Sequence, residues 1–138
     1  MENPITVEVT VDAPQDKVWE MFTRPEHIKK WSNASDDWHT PEAENDLRVG
    51  GKFNSRMESK DGSEGFNFTG VYTEITPMEY ISYTMDDGRK VDVKFEIAED
   101  GIHITENFEP ETINLPEMQK IGWQAILNNF KKYVESSK

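Results

Sequence analysis

Apolar and polar residues alternate over much of this chain, and that alternation is typical of strands with one buried face. In the first segment, ITVEVTV at residues 5–11, the isoleucine and the valines fall on one face and the threonines and the glutamate on the other. Later segments with strand character are KFNSRM (52–57), FNFTGVYTEI (66–75), YISYTM (80–85), KVDVKFEI (90–97) and IHITENFE (102–109). Short turns join them, so we expect an antiparallel meander.

Two parts of this pattern are less regular. Residues 32–50 are polar and acidic with Trp38 in the middle, so we predict one short strand around Trp38 and a loop. Gly70 interrupts the segment 66–75 and indicates a bulge, because glycine in a strand often marks one. We expect the 32–50 loop and the start of the last helix to form the mouth of any cavity, since loops carry entrances.

A three- and four-residue apolar period appears in three places and predicts helices. Each begins with a candidate capping side chain, with a proline in the first turn and Gln or Glu at the third position. The expected caps are Asp12, Thr23 and Asn114. Two helices are short, whereas the third ends the chain and is apolar over more than a narrow stripe. Its apolar residues are Met118, Ile121, Trp123, Ala125, Ile126, Leu127, Phe130, Tyr133 and Val134.

The predicted order is one strand, two short helices, six strands and a long helix. This order gives an α+β fold with a seven-stranded antiparallel sheet and two short helices between strands 1 and 2. The chain contains no repeat, low-complexity tract or linker, so we expect a single domain over residues 1–138. A curved sheet that closes on one broad helix tends to leave a lined space between them, and we expect the function there.

The formal net charge of −12 narrows the choice of partners. An acidic surface repels phosphate backbones and anionic lipid, which argues against nucleic-acid and membrane partners. The charge can simply provide solubility, or it can dock a basic protein. The sequence contains no cysteine, no signal peptide and no apolar run near the roughly 18 residues of a membrane span, so we expect a cytoplasmic protein.

Aromatic residues supply the candidate ligand site. Large rings leave irregular space where they meet, and ligand pockets are mostly apolar. Two readings stay open: the rings fill the core, or they line a cavity for a small apolar or amphipathic molecule. Our predicted ligand-binding rings are Trp31, Trp38, Phe53, Phe68, Tyr83, Phe95 and Trp123. We expect Trp123 to be buried, with Gly122 allowing the helix to approach the sheet.

Glu106 is the candidate polar ligand-binding residue. It interrupts the apolar face formed by Ile102, Ile104 and Phe108, so strict alternation turns its carboxylate toward the long helix. A buried carboxylate is costly unless paired, and a pocket acid with a raised pKa can anchor a ligand or act in catalysis. The alternatives are an ion pair with Arg48 or Arg56, or a strand end in water.

The other chemical signals are weak. His39 lies near several carboxylates, but its spacing matches no metal-ligand pattern, and His103 is expected on the solvent face of its strand. The sequence has no P-loop, dinucleotide fingerprint, zinc-protease or nucleophile motif. We therefore predict no metal, no cofactor and no assignable catalytic residue, and we consider an enzyme the weaker hypothesis.

The order of the elements and several sequence blocks resemble a known family. The blocks are Ala13-Pro14 with Lys17-Val18-Trp19 and Phe22, Pro25-Glu26 through Trp31, residues 46–53 (DLRVGGKF), Gly70 through Pro77, Tyr83-Thr84, Thr105-Glu106 with Phe108, and Gly122-Trp123. Together they resemble the homologues of the activator of heat-shock protein 90 ATPase. That family lies within the START-like superfamily of the birch-pollen allergen, often called SRPBCC.

The resemblance implies a helix-grip fold, with the sheet wrapped around the C-terminal helix and a cavity for an apolar ligand between them. It supplies no shared catalytic residue. Our main functional hypothesis is therefore a cytoplasmic binding module for a small apolar or amphipathic molecule. The alternatives are a chaperone-associated protein-interaction module of the stress-response co-chaperone type and a lyase- or cyclase-type enzyme using polar groups in the pocket.

Overall fold

A seven-stranded antiparallel sheet and three helices make up the computed structural model, which describes Met1 and residues 3–137. The elements are β1 (Ile5–Val11), α1 (Gln15–Thr23), α2 (Pro25–Trp31), β2 (Trp38–Asn45), β3 (Lys52–Ser59), β4 (Gly65–Thr76), β5 (Tyr80–Met85), β6 (Lys90–Ala98), β7 (Gly101–Phe108) and α3 (Pro116–Ser136). The order in the sheet is β1-β7-β6-β5-β4-β3-β2. The predicted meander and the helix-grip fold are confirmed.

The core lies between the inner face of the sheet and α3. Alternate residues of β7 are buried. Most of their partners on β1 and β6 are buried or half-buried, whereas Ile97, which pairs with Ile102, is exposed. From α3, Leu127, Phe130 and Val134 are almost completely buried, at spacings of three and four residues along one face. On this face the Phe130 ring packs against Phe22 and Trp31, at centroid distances of 5.2 Å and 4.9 Å.

The predicted caps of the helices are wrong in detail. The residues at the N-cap positions are Pro14, Arg24 and Leu115, and none of them makes a side-chain capping bond. The Thr23 hydroxyl donates instead to the backbone carbonyl of Trp19 at 2.8 Å. Proline in the first turn nevertheless marks the start of α2 and α3 correctly, because its missing N–H costs nothing there.

Strand β2 is longer than predicted. It covers eight residues at one edge of the sheet, and its pairing with β3 shifts between His39 and Glu42. Pro41 lies within that shift. An edge strand with a bulge is the place where a proline can be tolerated, since its missing N–H and its ring would disrupt a central strand. The polar sequence reflects the exposed edge rather than a loop.

The bulge of β4 lies beyond Gly70. Gly70 pairs regularly with Phe53 and Met85, and the register shifts between Tyr72 and Glu74. The extra residue lets Tyr72 and Ile75, which are three positions apart, both pack against the core. None of the described helices is both long and apolar enough to span a membrane.

Candidate functional site

A cavity of about 350 Å³ lies between the sheet and α3. Ligand pockets in proteins usually measure roughly 300–1,000 Å³ and are mainly apolar. The lining residues come from both short helices, β3, β4, β5, β7, the first half of α3 and the segments that connect these elements. They are Phe22, Ile28, Trp31, Ser32, Phe53, Ser55, Met57, Phe66, Phe68, Tyr72, Tyr83, Arg89, Glu106, Glu111, Asn114, Gln119, Trp123 and Ile126.

Aromatic rings on β3, β4 and β5 form the wall on the sheet side. The Phe53 ring lies 4.8 Å from Tyr83, 5.4 Å from Tyr72 and 5.6 Å from Phe68, measured between ring centroids. Gly70 makes this packing possible, because a Cβ there would lie 2.8 Å from both the Phe53 ring and the Thr84 carbonyl oxygen. The glycine is therefore required by close packing across β3–β4–β5.

Trp123 forms part of the opposite wall. Its indole stacks on Phe108 and makes an edge contact with Phe68, at centroid distances of 4.0 Å and 6.0 Å. The side chain is half-buried, not fully buried as predicted, because one side of it borders the cavity. The predicted role of Gly122 is wrong, since a Cβ at that position would have nothing within 4 Å.

Glu106 faces the cavity, as the alternation of β7 predicted. Its side chain is 9% exposed, and burial raises its pKa from 4.5 to about 8. Most of this carboxyl is therefore protonated at neutral pH. A protonated acid in an apolar cavity can donate a proton or a hydrogen bond, which is the role that the enzyme hypothesis would require of it.

The ion pairs considered for Glu106 are formed elsewhere. Arg48 pairs with Asp46 at 2.9 Å, and Arg56 pairs with Glu58 at 2.8 Å. Among the described residues, none makes a hydrogen bond or an ion pair with the Glu106 carboxyl. Glu106 is therefore a buried acid in the cavity with no partner among the residues that the structure describes.

Two phenols lie on the same wall as Glu106. Burial, and secondarily the nearby Glu106 carboxyl, raises the pKa of Tyr83 well above its usual value. Burial also raises the pKa of Tyr72 to about 12, and its hydroxyl donates to the side-chain oxygen of Asn45. Both phenols therefore stay neutral at physiological pH. The Tyr72 hydrogen is already used by Asn45, so Tyr83 is the phenol that can donate a hydrogen bond to a ligand.

Residues 109–115, here called the strap, lead from β7 into α3 along the rim of the cavity. Gln119 fixes the strap with its amide: its oxygen accepts from the Glu111 N–H at 2.9 Å, and its nitrogen donates to the Glu111 carbonyl at 3.1 Å and the Asn114 carbonyl at 2.8 Å. We predicted that the start of α3 forms part of the cavity mouth, and the position of Gln119 and the strap agrees with that prediction. Of residues 32–50, Ser32 alone lines the main cavity within the described part of the chain.

Trp31 is placed at the cavity by α2. It stacks on Phe22 with a centroid distance of 5.2 Å, and its indole N–H donates to the Met21 carbonyl at 2.9 Å. The indole is buried, so its orientation is fixed by this hydrogen bond and by the neighbouring ring.

Two of the predicted ligand-binding rings lie outside the cavity. Phe95 is packed in the core against Trp19 and Phe22, because α1 covers its part of β6. Trp38, on edge strand β2, borders a smaller adjoining hollow of about 210 Å³ and contacts Phe66 at 5.9 Å. The structure therefore brings together Trp31, Phe53, Phe68, Tyr83, Glu106 and Trp123 and leaves out Phe95 and Trp38.

Several lining residues were not among the predicted site residues. Ser55 and Met57 follow Phe53 at two-residue steps on β3, and Ile126 follows Trp123 by three on α3, so periodicity could have identified them. Arg89, which lies in a turn, and the strap residues carry no periodic signal. The lining residues outside the predicted ligand-binding set are Phe22, Ile28, Ser32, Ser55, Met57, Phe66, Tyr72, Arg89, Glu111, Asn114, Gln119 and Ile126.

The histidines do not form a metal site in the described part of the chain, which has no group of three or more potential ligands. His103 lies on the outer face of the sheet, as predicted, where its Nδ1 is 2.8 Å from the Thr10 hydroxyl and its Nε2 is 3.4 Å from Glu8. His39 lies 3.9 Å from Glu58.

Residues 12–135 match the sequence profile of the family described as activator of Hsp90 ATPase homolog 1-like protein. No curated protein is significantly similar to the chain.

Several solved structures share the fold over nearly the whole chain. The AHSA1-like protein from Aeromonas hydrophila is 43% identical with a TM-score of 0.91, over 97% of this chain and 93% of that one. Protein Chr148 from Cytophaga hutchinsonii is 50% identical with a TM-score of 0.84, over 98% and 94% of the two chains. Protein CV1439 from Chromobacterium violaceum is 26% identical with a TM-score of 0.86, over 98% and 99%.

Proposed function

This chain belongs to the family of activator of Hsp90 ATPase homolog 1-like proteins, and from that premise we propose that it binds a small apolar or amphipathic molecule between its sheet and α3. The observation that carries the proposal is the cavity of about 350 Å³ with its wall of aromatic rings. Its volume lies within the range of ligand pockets and its lining is mainly apolar, and both support the proposal.

The way the wall is held supports a binding role. Protein interiors normally pack as densely as organic crystals, and lost packing contacts reduce stability. Here Phe53 contacts Phe68, Phe68 contacts Trp123, and Trp123 stacks on Phe108. These contacts hold the rings in place, so they line the cavity and do not fill it. A rigid apolar wall of this kind binds without a large cost of ordering its side chains.

The test is a titration with a neutral fluorescent apolar probe, N-phenylnaphthylamine. The wild-type protein should bind one probe per chain and reach saturation. Ile126→Trp should block binding, because Ile126 lines the cavity and the larger indole would fill it.

The matched control is Ile121→Trp, the same exchange on the same helix at a side chain that is 67% exposed. It should bind the probe as the wild type does. Absence of saturable binding by the wild type, or equal binding by the Ile126→Trp protein, would exclude this cavity as the site.

A second candidate function is docking to a chaperone protein. The observation in its favour is a group of exposed apolar side chains on the strap and the first turns of α3, namely Ile113, Leu115, Met118 and Ile121. Exposed apolar groups of this kind often mark protein-interaction sites. Docking would be supported if the wild-type protein captures a chaperone and the double variant Met118→Ser/Ile121→Ser does not. The Ile126→Trp protein, whose exposed apolar group is intact, should still capture it. If added salt weakens the binding of the chaperone, the acidic surface of the protein contributes to the contact.

A further inference from the structure

We infer that the cavity selects an amphipathic amine, whose ammonium group binds the Glu106 carboxylate while its apolar body contacts the aromatic wall. This inference rests on the proposed function, because it concerns the same cavity and adds the chemical class of the ligand. It starts from the buried carboxyl of Glu106, which points into the cavity without a partner among the described residues.

The sheet residues directly adjacent to Glu106 have no side-chain group that could bind a carboxylate. Its cross-strand neighbours are Val7 on β1 and Val93 on β6, and its same-face neighbours on β7 are Ile104 and Phe108. All four side chains are at most 1% exposed. Directly opposed residues on paired strands point to the same face, so the carboxyl is surrounded by hydrocarbon on the sheet side. A counter-charge can reach it only from the cavity.

The charged groups of the cavity favour a cation. Besides Glu106, the ionic lining residues are Arg89 in the β5–β6 turn and Glu111 in the strap. Arg89 is already engaged, with its Nε 2.7 Å from Asp87 and a terminal nitrogen 3.5 Å from the Glu109 carbonyl. Described lining residues include no lysine and no histidine, and those from α1, α2 and α3 are uncharged. An anionic ligand would find no free cation among the described lining residues, because Arg89 is already paired, and it would keep Glu106 from ionising.

The aromatic wall and the overall charge act in the same direction. Phe68, Tyr83 and Trp123 line the cavity, and ring faces attract cations through their quadrupoles. The net charge of −12 raises the local concentration of cations around the protein. A neutral ligand would use only the hydrogen bond of a protonated Glu106, whereas an ammonium also gains these electrostatic contributions.

Binding of an amine should release a proton. The pKa of Glu106 near 8 means that the free protein holds this proton at neutral pH, and the ammonium displaces it. Affinity for the amine should therefore rise about tenfold per pH unit between about pH 6 and pH 8, while the amine itself remains protonated. Tyr72 and Tyr83 stay neutral over that range because burial raises the pKa of each.

The experiment compares three probes that share one ring system: naphthylethylamine, naphthylethanol and naphthylacetate. Calorimetric titrations of the full chain at pH 8 should give the order amine, alcohol, carboxylate, with the amine at least about tenfold tighter than the alcohol. Titrations at pH 7 in buffers with different ionisation heats should show release of close to one proton for each amine bound.

The isosteric variant Glu106→Gln should lower the affinity for the amine by about tenfold or more and so remove the preference for the amine over the alcohol. The proton release on amine binding and the pH dependence of amine affinity are both measured on the wild-type protein. They therefore test the inference even if the Glu106→Gln protein fails to fold.

Two results would overturn the inference while the proposed function stands: equal binding of amine and alcohol by the wild type, or amine binding without proton release. If neither these probes nor N-phenylnaphthylamine binds, the proposed function fails and this inference fails with it.

Discussion

The indole of Trp123 lies parallel to the ring of Phe108, with centroids 4.0 Å apart and an interplanar angle of 8°. Phe108 is fully buried at the end of β7, whereas Trp123 is half-buried and borders the cavity. One helix side chain is therefore held by the core on one face and exposed to the ligand site on the other. Loss of this contact should therefore change both the stability of the domain and the shape of its cavity.

Replacement of Trp123 by Ala should lower the free energy of unfolding by about 2–4 kcal/mol, because the stack on Phe108 and the contact with Phe68 are lost. The value falls below that of a fully buried tryptophan because part of the ring already borders the cavity. Urea unfolding would measure it. Met118→Ala on the exposed face of α3 is the control and should change stability by less than about 0.5 kcal/mol. A loss under about 1 kcal/mol for Trp123→Ala would contradict the packing role.

Addition of a methyl group at two glycines should have opposite effects. Gly70→Ala should destabilise the protein by about 1–3 kcal/mol, because the new Cβ would meet the Phe53 ring and a backbone oxygen at 2.8 Å. Gly122→Ala should stabilise it by about 0.5–1 kcal/mol, since the position is helical and a Cβ there has open space.

Thermal unfolding of the two glycine variants checks both signs. A neutral Gly70→Ala would mean that Phe53 can move without cost, and the fixed wall of the cavity would then lose its support.

The periodicity of apolar residues was sufficient to predict the fold and the inward orientation of Glu106. The two-residue step from Ile104 through Glu106 to Phe108 placed Glu106 on the inner face, and the structure has it there. Alternation assigns a side chain to a face of the sheet, and the inner face of β7 is buried along its length.

Alternation does not show which part of the buried face is covered by a helix. Phe95 and Phe53 both point inward, but α1 covers Phe95 and the cavity borders Phe53. The coverage depends on where α1 and α2 lie over the sheet, and that arrangement is set by contacts between residues distant in sequence. The same limit explains why Gln119 was missed, because its importance comes from three hydrogen bonds to the strap and not from its position in the helical period.

Removal of the Gln119 side chain should loosen the strap. In Gln119→Ala the Glu111 N–H loses its acceptor, so its hydrogen exchange should accelerate by about tenfold or more, and the free energy of unfolding should fall by about 1–3 kcal/mol. Exchange followed by NMR at the Glu111 amide measures the local effect.

Gln124→Ala is the matched control for the strap, because Gln124 lies on the same helix and its amide bonds to the backbone of Glu8 on β1. It should leave Glu111 exchange unchanged. Equal protection of Glu111 in the wild type and in Gln119→Ala would show that the strap is held by other contacts.

The pH dependence of stability should report the burial of Glu106. The pKa of its carboxyl is about 8 in the folded protein, well above its ordinary value of 4.5, so between these values the folded state holds a proton that the unfolded state has released. Stability therefore falls as pH rises from about 4.5 to about 8 and is constant with respect to this group outside that range. By pH 7 the accumulated penalty should be about 2–4 kcal/mol.

Glu106→Gln removes the titrating group and keeps the shape. The variant should match the wild type near pH 4.5, become more stable than it as pH rises, and show its full advantage above about pH 8. Urea unfolding of both proteins at several pH values gives this difference directly, and the contributions of the other carboxyls cancel in the comparison. A variant that is less stable than the wild type at pH 8 would mean that the carboxylate has a stabilising partner, and the unpaired acid at the centre of the proposed site would have to be abandoned.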